Sequence, residues 1–180
     1  KTLNIDKNRL SDSWKYSRRK LKINFVEREK KLLKLLDKHR GKYGKYDCIV
    51  PGSGGKDSCY ATHILKNKYG MSPLTVTWPP ILRTSYGKKN FLNWLKYCST
   101  DNISAKRNSD LMIYLTKESI VNLLHPFQTF MLGQKNFAPK MALKYKIPLV
   151  FYGENEAEHG NPIADNVSSL RDKSYFIFKN

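Results

Sequence analysis

The chain has 180 residues, 40% of them hydrophobic, and a formal net charge of +18, so it suits one ordinary α/β domain and is too apolar to be a disordered chain. No apolar run approaches the roughly 20 residues that cross a bilayer and no signal-peptide stretch opens the sequence, which points to a soluble, cytoplasmic protein without membrane association. Cys48, Cys59 and Cys98 are odd in number, widely spaced and form no CxxC, which argues against a disulfide framework or zinc site, while the positive excess would draw the chain to RNA, nucleotides or an acidic partner.

Residues 1–45 read as a basic N-terminal segment and 46–180 as the main domain. Residues 1–22 are polar and weakly patterned, with Trp14 and Tyr16 as large aromatics and no legible chemistry. Leu32, Leu33, Leu35 and Leu36, set among charged residues, recur as one apolar helix stripe that ends near Gly41. The cations before Tyr46 are either a solvated helix face or a surface for RNA or an acidic protein. Residues 46–50 form a short apolar strand that meets a glycine-rich turn, and 58–69 resume helical character before Gly70. Beyond Ser72-Pro73, the β-branched run 74–78 closes at Pro79-Pro80 as a second buried strand, reached by a parallel crossover.

Further along, 89–97 read as helix, 111–115 as a short strand, 116–119 as a helix start with acid in its first turn, and 127–145 as mostly helix interrupted at Pro139. Residues 147–152 give a last strand ending at Gly153-Glu154-Asn155. Residues 161–180 carry no clear end to the fold, as expected of an incomplete domain. Strands alternating with helices imply an α/β, doubly wound parallel sheet with the strand near Tyr46 at its centre, and ligands of such sheets gather beyond the carboxyl ends of the strands. Ser53-Gly54-Gly55 and Gly153-Glu154-Asn155 both fall there.

A loop that cradles phosphates needs glycines for close backbone approach and a helix N-terminus behind them. Gly52, Gly54 and Gly55 before the helix at Ser58 meet that need. Lys56 is followed by Asp57 rather than Ser or Thr, which excludes a Walker A loop. Ser53-Gly54-Gly55-Lys56-Asp57-Ser58 instead resembles the SGGxDS signature of the PP-loop, or N-type ATP pyrophosphatase, superfamily, whose fold is of the adenine nucleotide alpha hydrolase type. The resemblance implies ATP as cofactor with Mg²⁺, a grip on the β,γ-pyrophosphate, and attack by a substrate oxygen on the α-phosphate.

With Tyr46-Asp47-Cys48-Ile49-Val50-Pro51-Gly52 ahead of that loop, and with His125-Pro126-Phe127-Gln128, Gly133-Gln134-Lys135 and Phe151-Tyr152-Gly153-Glu154-Asn155, residues 46–160 resemble the N-acetyl sugar amidotransferases, the WbpG/PseA-like enzymes of surface-polysaccharide (lipopolysaccharide) and nonulosonic-acid biosynthesis. Family members typically carry an N-terminal cysteine cluster and a further C-terminal portion that this sequence lacks. The resemblance implies a nucleotide-linked N-acetyl sugar as substrate, adenylylation of its amide oxygen, and displacement by ammonia from a separate glutaminase subunit.

By the same resemblance Ser53, Gly54, Gly55, Lys56 and Ser58 bind the pyrophosphate and Asp57 holds Mg²⁺, with capping of the helix as the alternative for Asp57. Thr75, Val76 and Thr77 either hold adenine through their backbone or are a plain core strand. Gln128, Gln134 and Lys135 reach substrate or are surface polarity. Glu154 and Asn155, followed by Glu158 and His159, stand where site residues of such sheets stand, whereas His125 is an acid or base, or a structural histidine. Two other readings use the basic segment: a tRNA-modifying PP-loop enzyme, for which Cys98 is the one cysteine that reads as exposed, and a non-catalytic module binding RNA or a partner.

Overall fold

The computed structural model describes residues 5–154, and these fall into two compact units, 5–32 and Leu33–Glu154. Asn155, Glu158 and His159 lie outside the described residues.

In the first unit the Asp6 carboxylate accepts from the Asn8 and Leu10 N–H groups, both at 2.9 Å, and pairs with Lys15 at 2.9 Å. Helix α1 (Asp12–Lys20) begins where the Ser11 hydroxyl accepts from the Trp14 N–H, a helix start that the weak patterning of residues 1–22 did not reveal. Helix α2 (Phe25–His39) opens on the Asn24 carboxamide, which accepts from the Glu27 N–H, and it ends before Gly41 at φ +66°, as the leucine spacing implied.

The second unit is built on a parallel sheet. Strand β1 (Cys48–Pro51) pairs with β2 (Pro73–Thr77), Ile49 opposite Leu74, and β2 pairs with β3 (Asn102–Ser104), Val76 opposite Ile103. On the other side of β1 the Ile49 N–H donates to the Leu149 carbonyl at 2.9 Å and the Phe151 N–H to the Ile49 carbonyl at 2.8 Å, a parallel bridge. In this three-stranded sheet β2, not the strand near Tyr46, stands in the middle, and β1 lies at the edge with this isolated bridge on its outer side; the connections are helical. Helix α3 (Lys56–His63), continued by a π-turn at Ile64–Lys68, links β1 to β2. Helix α4 (Ser85–Cys98), capped by Thr84, links β2 to β3.

Side chains alternate across the sheet, and helices cover both faces. Ile49, Leu74 and Val76 pack with Ala138, Met141 and Ile147 from helix α6 (Gln128–Tyr145) and the turn after it. On the α3 side, Phe91, Trp94 and Cys98 of α4 pack with Cys59 of α3, and the Trp94 indole N–H donates to the Thr62 hydroxyl at 3.1 Å. The arrangement is the doubly wound one that the alternation of elements predicts.

Several expectations are corrected. Residues 147–152 form an isolated bridge at Val150 rather than a strand, 116–119 lie inside a helix rather than starting one, and Pro139 sits within an unbroken helix. Residues 111–115 are not a strand: they lie in helix α5 (Ser109–Leu123), where the Asn108 carboxamide accepts from the Leu111 N–H at 3.0 Å and Asp110 stands in the first turn. The run mimics a strand because Leu111, Ile113, Tyr114 and Leu115 are nearly contiguous, and all four stay exposed. The third strand is Asn102–Ser104, three residues without an apolar pattern. Cys98, read as exposed, is the last residue of α4 and is 7% accessible, packed with Phe91 and Trp94.

Candidate active site

Four segments meet beyond the carboxyl ends of the strands. The loop after β1 is fixed first. The Gly52 N–H donates to the Val76 carbonyl at 3.0 Å, and its carbonyl accepts from the Thr77 hydroxyl at 2.8 Å, which ties the loop's base to β2. Gly54 has φ +89°, and a β-carbon there would stand 2.6 Å from the Phe91 Cα and 2.7 Å from its backbone N. Only glycine meets both conditions, so the loop lies directly on the backbone of α4.

Gly55 is the N-cap of α3 and has no side chain to accept from the first-turn N–H groups. A β-carbon on Gly55 would meet nothing within 4 Å, so open space adjoins the N-cap residue. An uncapped N-terminus presents about half a positive charge and free donors, the chemistry of an anion site. Ser58 turns its hydroxyl back to the Gly55 carbonyl at 3.0 Å, bracing the turn.

Gly153 closes the site from the segment that bridges to the outer side of β1. A β-carbon there would stand 2.7 Å from the Asp57 carbonyl and 2.9 Å from the Ser58 N, so the main chain before Glu154 rests on the first turn of α3. The fold therefore brings Ser53, Gly54, Gly55, Lys56, Asp57 and Ser58 together with Gly153 and Glu154 on one edge. Asp57 is not the helix cap, since Gly55 is; its carboxylate sits in the first turn, about half exposed, and pairs with the Lys56 ammonium at 2.6 Å.

Thr75, Val76 and Thr77 are fully buried. Their groups are engaged within the sheet: the Thr75 N–H donates to the Asp101 carbonyl at 3.0 Å, and the Thr77 carbonyl accepts from the Ala105 N–H at 2.9 Å. Those bonds are those of a core strand, and Trp78 follows directly at its end. Trp78 in turn lies under α6, where Gly133 leaves room for the indole that any β-carbon would fill. Gln134 and Lys135 follow Gly133 on α6, with Gln128 at the start of that helix. His125 is structural in its contacts: its Nδ1 accepts from the Phe127 N–H at 3.1 Å at the entry to α6.

The residues present fit MgATP in a particular way. Among the described residues there is no group of three or more His, Cys, Asp or Glu able to hold a metal. Mg²⁺ is commonly bound through one or two carboxylates together with substrate phosphates, and Asp57 supplies one carboxylate beside the anion-facing helix end. The cysteines are not primed as nucleophiles. Burial, then the Asp47 charge, pushes the Cys48 thiol up to about 12, and burial likewise raises Cys59 and Cys98.

Sequence reasoning missed the support beneath the loop: Phe91, on which Gly54 lies, Trp94, which limits Gly52, and Arg83, whose guanidinium carbon stands 4.4 Å over the Phe91 ring centroid. The Trp-Pro-Pro break before a capped helix marks this segment as a structured connection but assigns it no role.

No protein-family model matches the chain. It is 35% identical over 78 residues to an uncharacterized protein of Methanocaldococcus jannaschii, a match that takes in 43% of this chain and 28% of that protein. It is similar in structure to NMN synthetase from Francisella tularensis, with a TM-score of 0.54 at 17% identity, over 76% of this chain and 57% of the synthetase chain. The chain thus spans little more than half of the synthetase structure and under a third of the M. jannaschii protein. The likeness supports the fold, an α/β parallel sheet with helices on both faces. No helix among the described residues is long and apolar enough to cross a membrane.

Proposed function

We propose that the chain is an ATP-dependent, AMP-forming N-acetyl sugar amidotransferase acting in the cytoplasm on a nucleotide-linked sugar. The observation that carries this reading is the contact of Gly54 with Phe91 and of Gly153 with the first turn of α3, close backbone approaches on either side of an uncapped helix end with open space beside Gly55. Backbone donors so arranged suit a pyrophosphate better than a side-chain ligand.

In this reading Gly54, Gly55 and Lys56 hold the β,γ-phosphates, and Asp57 exchanges its pair with Lys56 for Mg²⁺. When bound, Mg²⁺ neutralises charge on the phosphate oxygens. The fixed N–H groups of α3 stabilise negative charge gathering on the leaving pyrophosphate, and they need no reorganisation to do so. The amide oxygen of the sugar's N-acetyl group attacks the α-phosphorus, the bond to the bridging oxygen breaks, and pyrophosphate departs. Ammonia then adds to the imidate carbon, and AMP leaves with the former amide oxygen to give the acetamidine. Glu154, Asn155, Gln128, Gln134 and Lys135 are the proposed substrate contacts, Glu154 serving to accept the proton that ammonia sheds. Ammonia comes from a glutaminase partner. Base thiolation, as in tRNA modification, is less well supported, because the cysteines have thiols raised by burial.

The test uses a nucleotide sugar carrying ¹⁸O in its N-acetyl carbonyl, with ATP and ammonium. Label is expected in AMP, and glutamine is not expected to replace ammonium for the purified chain. AMP free of label, or turnover with glutamine alone, contradicts the proposal.

A further inference from the structure

Lys56 and Arg83 are cations on the same edge of the sheet, but their charges stand differently. Lys56, on the loop itself, pairs with Asp57 at 2.6 Å. Arg83 lies in the connection between β2 and α4, and it has no ion-pair partner among the described residues. Its connection is nonetheless well fixed. The Arg107 guanidinium donates to the Pro80 carbonyl at 2.8 Å, and the Thr84 hydroxyl caps α4 by accepting from the Gly87 N–H at 3.0 Å. The Arg83 stem passes close by Gly87, and its guanidinium carbon lies 4.4 Å over the Phe91 ring.

A guanidinium stacked on a ring is held by its face, which leaves the N–H donors along its edge free for a planar or tetrahedral anion. The backbone of the same Phe91 is what Gly54 of the phosphate loop rests on. One residue therefore supports both the loop and the uncompensated cation beside it. We infer that Arg83 is a phosphate-binding residue of this site, donating from its edge to a phosphate group of a ligand seated against Ser53-Gly54-Gly55. The inference rests on the reading of that loop as a phosphate site and adds a contact from a second strand's connection. The phosphate belongs either to ATP or to the nucleotide carrier of the second substrate.

The whole chain is titrated calorimetrically with ATP, with inorganic pyrophosphate and with uridine diphosphate, as wild type, Arg83→Gln, Arg83→Lys and Lys144→Gln, the last a cation at the far end of α6. Arg83→Gln is expected to weaken ATP and pyrophosphate binding about tenfold or more, the worth of one charged hydrogen bond. Arg83→Lys keeps part of the affinity, Lys144→Gln keeps all of it, and the melting temperature does not move. Loss for uridine diphosphate alone assigns the contact to the second substrate's phosphate and also supports the inference. If Arg83→Gln leaves all three affinities within about twofold of wild type, or Lys144→Gln lowers them equally, Arg83 has no such role. A wild type that binds neither ATP nor pyrophosphate overturns the loop reading and the inference with it, whereas sound wild-type binding with a silent Arg83→Gln overturns the inference alone.

Discussion

The two ends of the sheet are built on opposite principles. At the amino end, the residues just before each strand bond to one another. The buried Asp47 carboxylate accepts from the Gly41 N–H at 2.6 Å and the Ser72 N–H at 2.8 Å, and the Ser72 hydroxyl donates to the Lys45 carbonyl. The Lys45 ammonium and the Tyr46 hydroxyl both meet the Asp101 carboxylate at 2.6 Å. At the carboxyl end the corresponding positions are glycines, an uncapped helix and exposed charges. Polar groups at one end are used up in holding strands together, and at the other they are left for something else. A charge with several internal partners maintains the fold, and substituting it changes stability. A charge beside bare backbone is free for ligand, and substituting it changes turnover.

That contrast breaks most directly at its two aspartates. Asp57→Asn is expected to lower AMP formation on the order of a hundredfold by removing the carboxylate proposed to hold Mg²⁺ near the phosphates. Its fold should suffer little, because an exposed ion pair and one charge at a helix end are each worth under about 1 kcal/mol. Asp47→Ala should do the reverse. It removes the acceptor of two part-buried N–H groups, a loss of about 1–3 kcal/mol in chemical denaturation, with AMP formation per folded molecule unchanged. Equal effects of the two on turnover would dissolve the distinction.

Gly153→Ala sharpens the account of the carboxyl end. The new methyl would meet the Asp57 and Ser58 main chain at under 3 Å, so the first turn of α3 or the 151–154 segment must move. Overpacking of this kind costs about 1–3 kcal/mol, and here it should appear mainly as a raised KM for ATP. An unaltered KM would mean that the contact does not position the loop.

The smallest effect belongs to the amino end. The Lys45 hydrogen bond, then that of Tyr46, holds the Asp101 carboxyl below its ordinary 3.8. The folded value is the depressed one, so its contribution is complete above about 3.8 and is lost as pH falls through the folded value. Melting should weaken slightly more steeply below pH 4 in wild type than in Asp101→Asn, and identical profiles would remove Asp101 from the network.

Legibility in the sequence followed the same division. The strand near Tyr46, its glycine loop and the helix behind it are written in contiguous residues, so local pattern and spacing sufficed. Strand β3 is not written locally: Asn102-Ile103-Ser104 becomes a strand because the Asp101 carbonyl accepts from Thr75 and the Asn102 carboxamide donates to the Thr75 and Thr77 hydroxyls at 3.0 Å. Residues 111–115 misled because an exposed helix carried an apolar run, whereas the Asn108-Ser109-Asp110 start was there to be read. Arg83 and Phe91 were invisible since their meaning lies in what Gly54 touches, a contact 37 residues away in the chain that no periodicity encodes.

The central claim is that this edge opens ATP at the α-phosphate. Incubating the chain with α-labelled ATP, an N-acetylated nucleotide sugar and ammonium, and separating the nucleotides, should yield labelled AMP with one pyrophosphate for each AMP. Labelled ADP with orthophosphate would mean attack at the γ-phosphate and would contradict the account.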